Sequence, residues 1–406
     1  MIRLAALLAA FGLTLVLAGS SPAAPPIESP GPDRILVMVQ MPPAHYRPNS
    51  QYSDAYGDGL SQSARHRIVS RLARANALSL VDNWPMPLLG VDCFMLKVPA
   101  GRSAAVVAQA LSRQPGVAWS QPLNLYHTEA ATGALPAAPT RPAPPTRQWR
   151  LGDLRVAATG RGVRVAVIDS MIEVGHPQLR GQVALARNFV SDRPAAPERH
   201  GTAVAGVIAA RAEEGAGITG VAPGSRLLAL RACWQQGAAA AACDSISLAR
   251  ALEFAIAHQA EVINLSLAGP PDLLLGKLIE VAEKRHITVV AAYDPALPEG
   301  GFPASQPGVI AVADQSRGHP PAGVFAAPGH EVLTTALGGG WGLFNGSSFA
   351  AAHVSGLVAL MDERRSGGAL KLITNPGGAI EPCASLSRVQ PSLRQCGRQT
   401  VASSHP

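Results

Sequence analysis

The sequence predicts an α/β fold, a doubly wound and mostly parallel sheet with helices on both faces, preceded by a small α+β domain. From residue 147 onward, apolar strand patterns alternate with helical patterns along the chain. The strand patterns are continuous apolar runs, which are typical of parallel strands covered by helices on both sides. A Pro- and Ala-rich stretch separates this part from the residues before it, so we expect two folded units.

The N-terminal unit, which we place at 33–127, contains three strand patterns and two patterns with helical apolar spacing. The strands are predicted at 34–40, 92–98 and 116–122, and the helices at 63–78 and 103–113. Residues 128–146 form the Pro- and Ala-rich linker. Such a composition predicts an extended, exposed segment that is a natural site of proteolytic cleavage.

The C-terminal unit, which we place at 147–365, carries the alternating pattern, and residues 366–406 form a tail. Its strands are predicted at 163–170, 226–233, 261–267, 287–292 and 308–314, and its helices at 200–212, 245–260, 272–285 and 348–365. In open parallel sheets, binding sites form where the carboxyl ends of strands meet the N-termini of helices. Polar residues at those junctions are therefore the first candidates for function.

The first 24 residues have the pattern of a secretory signal peptide: one early Arg, an apolar run from Leu4 to Ala18, and then small residues. A buried first helix is the alternative interpretation. No later stretch is long and apolar enough to predict a transmembrane helix. We therefore predict a secreted protein, extracellular or periplasmic, that is monomeric and has no membrane contact once the signal peptide is removed.

The net charge of +7 is spread along the chain, without a basic run interleaved with aromatic residues. This distribution argues against a nucleic-acid partner. The histidines outside the candidate site form no pair with metal-ligand spacing, and no acidic calcium loop is apparent. The residues themselves therefore indicate no cofactor and no metal ligand.

Five cysteines are present, and four of them form two close pairs along the C-terminal half. An exported protein can keep disulfides. The economical connectivity is Cys233–Cys243 and Cys383–Cys396, although the sequence leaves the other pairings of these four residues open. Cys93 is then left without a partner.

Three residues at predicted strand–helix junctions have side chains that suit nucleophilic catalysis. Asp169 ends a strand, His200 opens a helix and Ser348 opens another. A serine hydroxyl is a weak nucleophile until a neighbouring histidine takes its proton, and a carboxylate fixes the tautomer of that histidine. Taken singly, each residue also has an ordinary structural interpretation, such as a strand-end turn or a helix N-cap.

The local sequences favour catalysis. The segments VRVAVIDS, RHGTAVAGVIAA and FNGSSFAAAHVSG resemble the three signature blocks of the subtilisin-like serine proteases, the subtilases of peptidase family S8. EVINLSLAGP is similar to their substrate-binding strand, and GFPASQPGVIAVA to a further loop of the family. The resemblance extends from about residue 148 to 365. It implies a subtilisin-like fold, endopeptidase activity on polypeptides and the chain order Asp, His, Ser.

Carried over residue by residue, the resemblance implies that Asp169 orients the base, His200 is the base and Ser348 is the nucleophile. Ser347 occupies a Thr position of the family. The N-terminal unit is similar to the family's propeptide, which assists folding and then inhibits the enzyme. A structural calcium ion is also common among family members, so one is possible here.

The family's oxyanion-hole asparagine corresponds to Asp294 in this sequence. An asparagine amide donates a hydrogen bond to the developing oxyanion, whereas an ionised carboxylate repels it. A protonated carboxyl could still donate, and some relatives use Asp in this role. Asp294 therefore stays the predicted oxyanion residue, with an inactive protein as the alternative.

The substrate-binding strand corresponds to Ser266, Leu267 and Ala268, which we expect to pair with substrate backbone as an added β-strand. Ala268 and Tyr293 stand where the family usually has glycine, so we predict a shallow pocket for the residue before the scissile bond. The leading hypothesis is a secreted serine endopeptidase matured by propeptide removal. The alternative is a weak or inactive subtilase-fold module that binds peptide strands.

Overall fold

A computed structural model of the chain describes residues 33–41, 58–128, 149, 158–211, 218–236, 240–365 and 370–389. The predicted signal peptide at 1–24 lies outside these residues, as do nearly all of the predicted linker and part of the predicted tail. No helix in the described part of the chain is both long and apolar enough to cross a membrane.

The N-terminal unit is an antiparallel four-stranded sheet with two helices. Its strands are β1 (Arg34–Gln40), β2 (Ser79–Met86), β3 (Val91–Lys97) and β4 (Val117–Pro122), and its helices are α1 (Asp58–Ala75) and α2 (Ala104–Leu111). The strands lie in the order β2-β3-β1-β4. Alternate side chains of β1 point to opposite faces, so Ile35 and Val37 pack with the helices while Leu36 and Met38 join the core of the C-terminal unit.

The remaining elements belong to the C-terminal unit, except for the first strand. The strands are β5 (Leu125–His127), β6 (Arg164–Asp169), β7 (Val183–Asn188), β8 (Arg226–Arg231), β9 (Cys233–Gln236), β10 (Ala240–Asp244), β11 (Val262–Leu265), β12 (Thr288–Ala292), β13 (Ile310–Asp314), β14 (Phe325–Ala327), β15 (Val332–Ala336) and β16 (Gly340–Phe344). The helices are α3 (Arg199–Ala209), α4 (Ser245–Ala257), α5 (Leu273–Lys284), α6 (Ser347–Arg364) and α7 (Pro382–Val389).

The central sheet of the C-terminal unit has the order β14-β13-β12-β11-β6-β8-β7, and every neighbouring pair is parallel. Alternating residues of β6 show how both faces are covered. Ala166 and Ile168 pack into a core with α4 and α5, whereas Val165 and Val167 pack into a core with α3 and α6. The predicted doubly wound parallel sheet is confirmed.

A second sheet, with the order β5-β10-β9, joins the two units. Leu125, Tyr126 and His127 of β5 pair antiparallel with β10. On its other side, His127 pairs with Ala268, just beyond β11. The N-terminal unit therefore ends as a strand inserted between two segments of the C-terminal unit.

The sequence patterns found the long apolar elements and missed the short ones. The missed strands include β2, β5, β7 and the β9–β10 hairpin, which are polar, short or interrupted by proline at Pro85. β7, for example, alternates between half-buried and exposed residues before its end and has no continuous apolar run. Periodicity is weakest for such edge strands, because only one side of them is buried.

Cys233 and Cys243 form a disulfide that joins β9 to β10, as the economical pairing predicted. Cys93 is buried and has no disulfide partner. The other proposed pair includes Cys396, which lies outside the described residues, so that pairing stays a prediction.

Candidate active site

Three helix and strand ends bring the predicted catalytic residues to one edge of the sheet. β6 ends at Asp169, α3 begins one residue before His200, and α6 begins one residue before Ser348. Gly346 precedes α6 with φ of 133°, a conformation that favours glycine, so the chain turns sharply just before the serine. Because parallel strands end at the same edge, this topology gathers residues that are far apart in sequence.

Asp169 and His200 form a buried, bidentate contact. The Nδ1 of His200 lies 2.8 Å from Oδ1 and 3.0 Å from Oδ2 of Asp169. The carboxylate accepts, so Nδ1 carries the hydrogen that it donates, and a neutral ring then has an unprotonated Nε2. Nε2 has no hydrogen-bond partner among the described residues. This arrangement leaves Nε2 available as a base.

The residue that follows Ser348, Phe349, contacts the histidine of this pair. The Phe349 ring packs beside the His200 ring, with centroids 5.7 Å apart. The Ser348 hydroxyl donates to the carbonyl of Ser266 at 3.1 Å, and the Ser266 hydroxyl donates back to the carbonyl of Ser348 at 2.9 Å. The nucleophile candidate is thus tied to the predicted substrate-binding strand. In resting active sites the nucleophile–base hydrogen bond is often not yet formed.

Gly201 allows His200 to come close to the end of β6. A Cβ placed on Gly201 would lie 2.2 Å from the backbone oxygen of Ser170, the residue after Asp169. The Gly201 amide also donates to the Ser170 hydroxyl at 3.0 Å. The start of α3 is therefore packed directly against the Asp169 turn, and this close approach sets the position of the histidine.

The predicted substrate-binding strand is occupied by the chain's own N-terminal unit. Ser266, Leu267 and Ala268 are buried. Ala268 exchanges both backbone hydrogen bonds with His127, at 2.9 and 3.0 Å. We call the space between β10 and residues 266–268 the substrate groove. An extended peptide that pairs on both sides is the geometry expected of β-strand addition.

Asp294 follows β12 at the same edge of the sheet and is half-buried. Its Oδ1 accepts the Ala296 amide at 2.9 Å, and its own amide donates to Gly300 at 3.0 Å. The structure therefore places the carboxyl in a local turn within the loop where the family resemblance put an oxyanion donor.

Tyr293 and Ala268 both pack against the loop that contains Gly300 and Gly301. A Cβ on Gly300 would lie 2.0 Å from the Tyr293 ring, so the ring contacts this loop directly. A Cβ on the next residue, Gly301, would lie 2.6 Å from Leu297 and 3.2 Å from Ala268. The loop is thus closely packed against both residues that replace glycines of the family, and the shallow pocket stays a prediction.

Sequence reasoning missed Asp272, a buried carboxylate where the two units meet. It accepts hydrogen bonds from three N-terminal side chains, those of Gln121, Asn124 and Tyr126. It also accepts the Ser245 hydroxyl at 2.6 Å. The sequence predicted only that Asp272 begins the helix at 272–285, which gave no reason to expect a contact with the N-terminal unit.

The described residues contain no group of three or more His, Cys, Asp or Glu side chains that could hold a metal ion. Calcium also binds backbone and amide oxygens, so the calcium ion that the resemblance allows stays a prediction.

The fold and the site together define a class: a serine hydrolase built on a doubly wound parallel sheet, with an Asp–His pair and a helix-borne serine at the carboxyl edge of that sheet. The subtilase family model matches residues 160–371. The chain is 35% identical over 219 residues to subtilisin from Bacillus pumilus, covering 50% of this chain and 78% of that protein. It is 32% identical over 238 residues to an intracellular serine protease from Paenibacillus polymyxa, covering 53% and 72%.

A solved structure is similar over more of the chain. Fervidolysin from Fervidobacterium pennivorans, described as a keratinolytic enzyme related to subtilisin, matches with a TM-score of 0.59 and 20% identity. The match covers 87% of this chain and 61% of fervidolysin, and it shows the fold. From the family match and the sequence relatives, the chain belongs to the subtilase family and is a serine protease of that family.

Proposed function

We propose that the protein is an endopeptidase in which Ser348 is the nucleophile, His200 the general base and Asp169 the residue that orients the base. The observation that carries this proposal is the buried bidentate Asp169–His200 contact, which leaves Nε2 without a partner among the described residues. A histidine held in this tautomer accepts a proton at Nε2 and becomes an imidazolium that the carboxylate stabilises.

These three roles define the proposed reaction. As the Ser348 oxygen bonds to the substrate carbonyl carbon, its proton passes to Nε2 of His200. When the tetrahedral intermediate collapses, the carbon–nitrogen bond breaks and His200 gives the proton to the leaving amine. A water molecule then attacks the acyl carbon and gives a proton to His200. The bond to the Ser348 oxygen breaks, His200 returns the proton to Ser348, and the acyl group leaves as a carboxylic acid. Asp294 is the proposed oxyanion residue.

The N-terminal unit occupies the groove as a bound cleavage product would, and this supports an inhibitory role for that unit. We propose that residues 33–127 are a propeptide that inhibits the enzyme through β5, after a signal peptide at 1–24 and before the linker at 128–146, the catalytic domain at 147–365 and a tail at 366–406. The pairing of β5 on both sides supports inhibition. The leader pattern and the disulfide of the β9–β10 hairpin support secretion.

The strand register narrows the proposed cleavage site. His127 pairs with Ala268 in antiparallel register, so a pairing continued by two residues would set residue 129 opposite Ser266. Ser266 is the residue whose carbonyl accepts the Ser348 hydroxyl. We therefore expect self-cleavage after Glu129, within the interval that the sequence alone predicted.

Labelling with a fluorophosphonate probe tests the catalytic assignment. We expect the processed protein to take one label at Ser348, and the label to disappear in Ser348→Ala. Ser347→Ala is the matched control, because it removes the adjacent hydroxyl and leaves the nucleophile. Absence of label from folded, processed wild-type protein would contradict the enzyme proposal.

Processing provides a second test. Ser348→Ala should accumulate as an intact precursor, while the wild-type chain should yield a new N-terminus at residue 130. Normal trimming of purified Ser348→Ala in a refolding reaction free of other proteases would show that the cut is not made by this site.

Two observations favour the alternative of a peptide-binding module. The Ser348 hydroxyl donates to Ser266, and Asp294 stands where an amide donor is expected. In that case the groove binds extended peptides without cleaving them. Binding of a labelled peptide by protein that takes no fluorophosphonate label would support this alternative.

A further inference from the structure

The side chain of Tyr126 fills a pocket of the substrate groove and is fully buried. Its hydroxyl lies 3.2 Å from the Pro270 carbonyl and 3.2 Å from Oδ2 of Asp272, and it donates toward these two acceptors. Both acceptors belong to the catalytic domain, whereas Tyr126 belongs to the N-terminal unit. The contact is thus between the groove and its occupant.

The shape of this pocket fits a flat ring. A Cβ on Gly269 would lie 2.5 Å from Cδ1 of Tyr126, so the backbone of the groove touches the face or edge of the ring directly. The Phe302 ring lies on another side, with centroids 6.3 Å apart and planes tilted by 55°. Aromatic pairs at such separations are favourable beyond the area that they bury.

The polar end of the pocket is a buried carboxylate held in place by the catalytic domain itself. With the N-terminal unit in place, Asp272 is 5% exposed, and its contacts with Gln121, Asn124 and Tyr126 are lost when that unit leaves. Asp272 is the N-cap of α5, accepting the Leu275 amide at 3.0 Å, and it accepts the Ser245 hydroxyl at 2.6 Å. These two contacts do not involve the N-terminal unit, so the carboxylate stays in position when another peptide occupies the groove.

A carboxylate that the occupant of the groove covers favours an occupant that donates a hydrogen bond, because covering it without a donor leaves a charged acceptor poorly satisfied. Burial, and then the negative charge of Asp272, raises the pKa of Tyr126 above its usual range. The phenol therefore remains protonated and donates. Phenylalanine would fill the same space without a donor.

The register gives the position of this pocket relative to the reaction. Tyr126 pairs with Cys243 of β10, and the proposed scissile carbonyl belongs to residue 129. The pocket therefore accepts the side chain of the residue three positions before the one that Ser348 attacks.

We propose that this pocket is a specificity subsite for tyrosine, in which Asp272 accepts the phenolic hydroxyl of a substrate three residues before the attacked residue. The proposal rests on the proposed function, since it takes the groove occupied by β5 as the substrate groove. It adds a preference for a hydroxyl-bearing aromatic side chain over a purely apolar one.

Two peptide substrates that differ only by Tyr or Phe at this position test the subsite on full-length protein that has processed itself. A hydrogen bond to a charged group predicts that kcat/KM is higher for the Tyr peptide by roughly tenfold to a hundredfold. In Asp272→Ser, which keeps an N-cap residue but removes the carboxylate, the ratio should fall to about one.

Asp314→Ser is the matched control. Asp314 ends β13 and accepts the Ser316 amide at 2.9 Å, so the change removes a buried capping carboxylate that is not part of the groove. The ratio between the two peptides should be the same in this variant as in the wild type. Because the ratio compares two substrates of one preparation, it does not depend on the folded fraction.

Equal cleavage of the two peptides by the wild-type protein would overturn the subsite while leaving the protease proposal intact. A Tyr preference that persists in Asp272→Ser would also overturn it, because another group would then supply the preference. If neither peptide is cleaved and Ser348 takes no fluorophosphonate label, the proposed function fails. Equilibrium binding of the same two peptides then decides the subsite, with equal affinities counting against it.

Discussion

Replacing Gly201 by alanine should misplace the catalytic base. The added Cβ would lie 2.2 Å from the Ser170 backbone oxygen. An ordinary contact between nonbonded heavy atoms needs about 3.5 Å, so the two backbones must separate by about 1 Å. Ser170 follows Asp169 and Gly201 follows His200, so this separation acts directly on the 2.8 Å contact between the triad partners.

A misplacement of about 1 Å in a catalytic group costs roughly a hundredfold in rate. We therefore expect Gly201→Ala to lose roughly a hundredfold in kcat on a peptide substrate, and to take the fluorophosphonate label at Ser348 correspondingly more slowly. Helix propensity alone would make the alanine variant more stable by about 1 kcal/mol and leave its activity unchanged. The close contact with Ser170 predicts the opposite result for activity.

Gly175→Ala is the control, because no atom lies within 4 Å of a Cβ placed there and its φ is not positive. Circular dichroism and thermal unfolding establish that both variants are folded before their rates are compared. A folded Gly201→Ala protein with wild-type kcat would refute the claim that this close approach positions His200.

The other predictions concern the oxyanion residue, the disulfide and a buried histidine. Asp294→Asn introduces an amide donor that does not titrate. If a protonated carboxyl donates to the oxyanion in the wild type, the variant keeps activity further toward alkaline pH. An unchanged alkaline limb of the pH–kcat profile counts against Asp294 as the oxyanion donor. Replacing Cys233 and Cys243 together by serine should lower the free energy of unfolding by about 2–3 kcal/mol, which a denaturant titration measures. Because β10 lines the groove, the same change should raise KM more than it lowers kcat in steady-state kinetics. Burial lowers the pKa of His353 to about 4. Its contribution to stability is therefore present above pH 6.5 and is lost as the pH falls toward 4, by roughly 3 kcal/mol in all, and His353→Leu should flatten that part of the unfolding profile relative to the wild type.

The sequence predicted most of what the core determines. The strands at β6, β11, β12 and β13 are continuous apolar runs with no competing interpretation, and their order with α3, α4, α5 and α6 requires a parallel sheet. Asp169, His200 and Ser348 became candidates because they lie at the ends of these elements, and the resemblance of the surrounding segments to the subtilase signature blocks favoured a catalytic role over a structural one.

The residues missed by sequence reasoning depend on contacts between distant parts of the chain. Tyr126 looked like the end of a domain beside a linker, and nothing local indicates that it enters a pocket against Asp272, far along the chain. In the sequence, Gly201 is one small residue in a predicted helix, whereas its close approach to His200's partner strand depends on the backbone of Ser170. Such roles follow from tertiary approach, which hydrophobic periodicity does not encode.

The strand pairing in the groove explains why specificity must come from side-chain pockets. Backbone hydrogen bonds from β10 and Ala268 are available to any extended peptide, so they provide affinity without sequence preference. We predict that Tyr293 and Ala268, which replace glycines of the family, leave little depth for a large side chain next to the proposed nucleophile. The buried pocket with a polar end lies further along the groove, at Tyr126. Discrimination among substrates should therefore depend more on that distant residue than on the one beside the scissile bond, and the same pocket should contribute to the binding of the N-terminal unit in the groove.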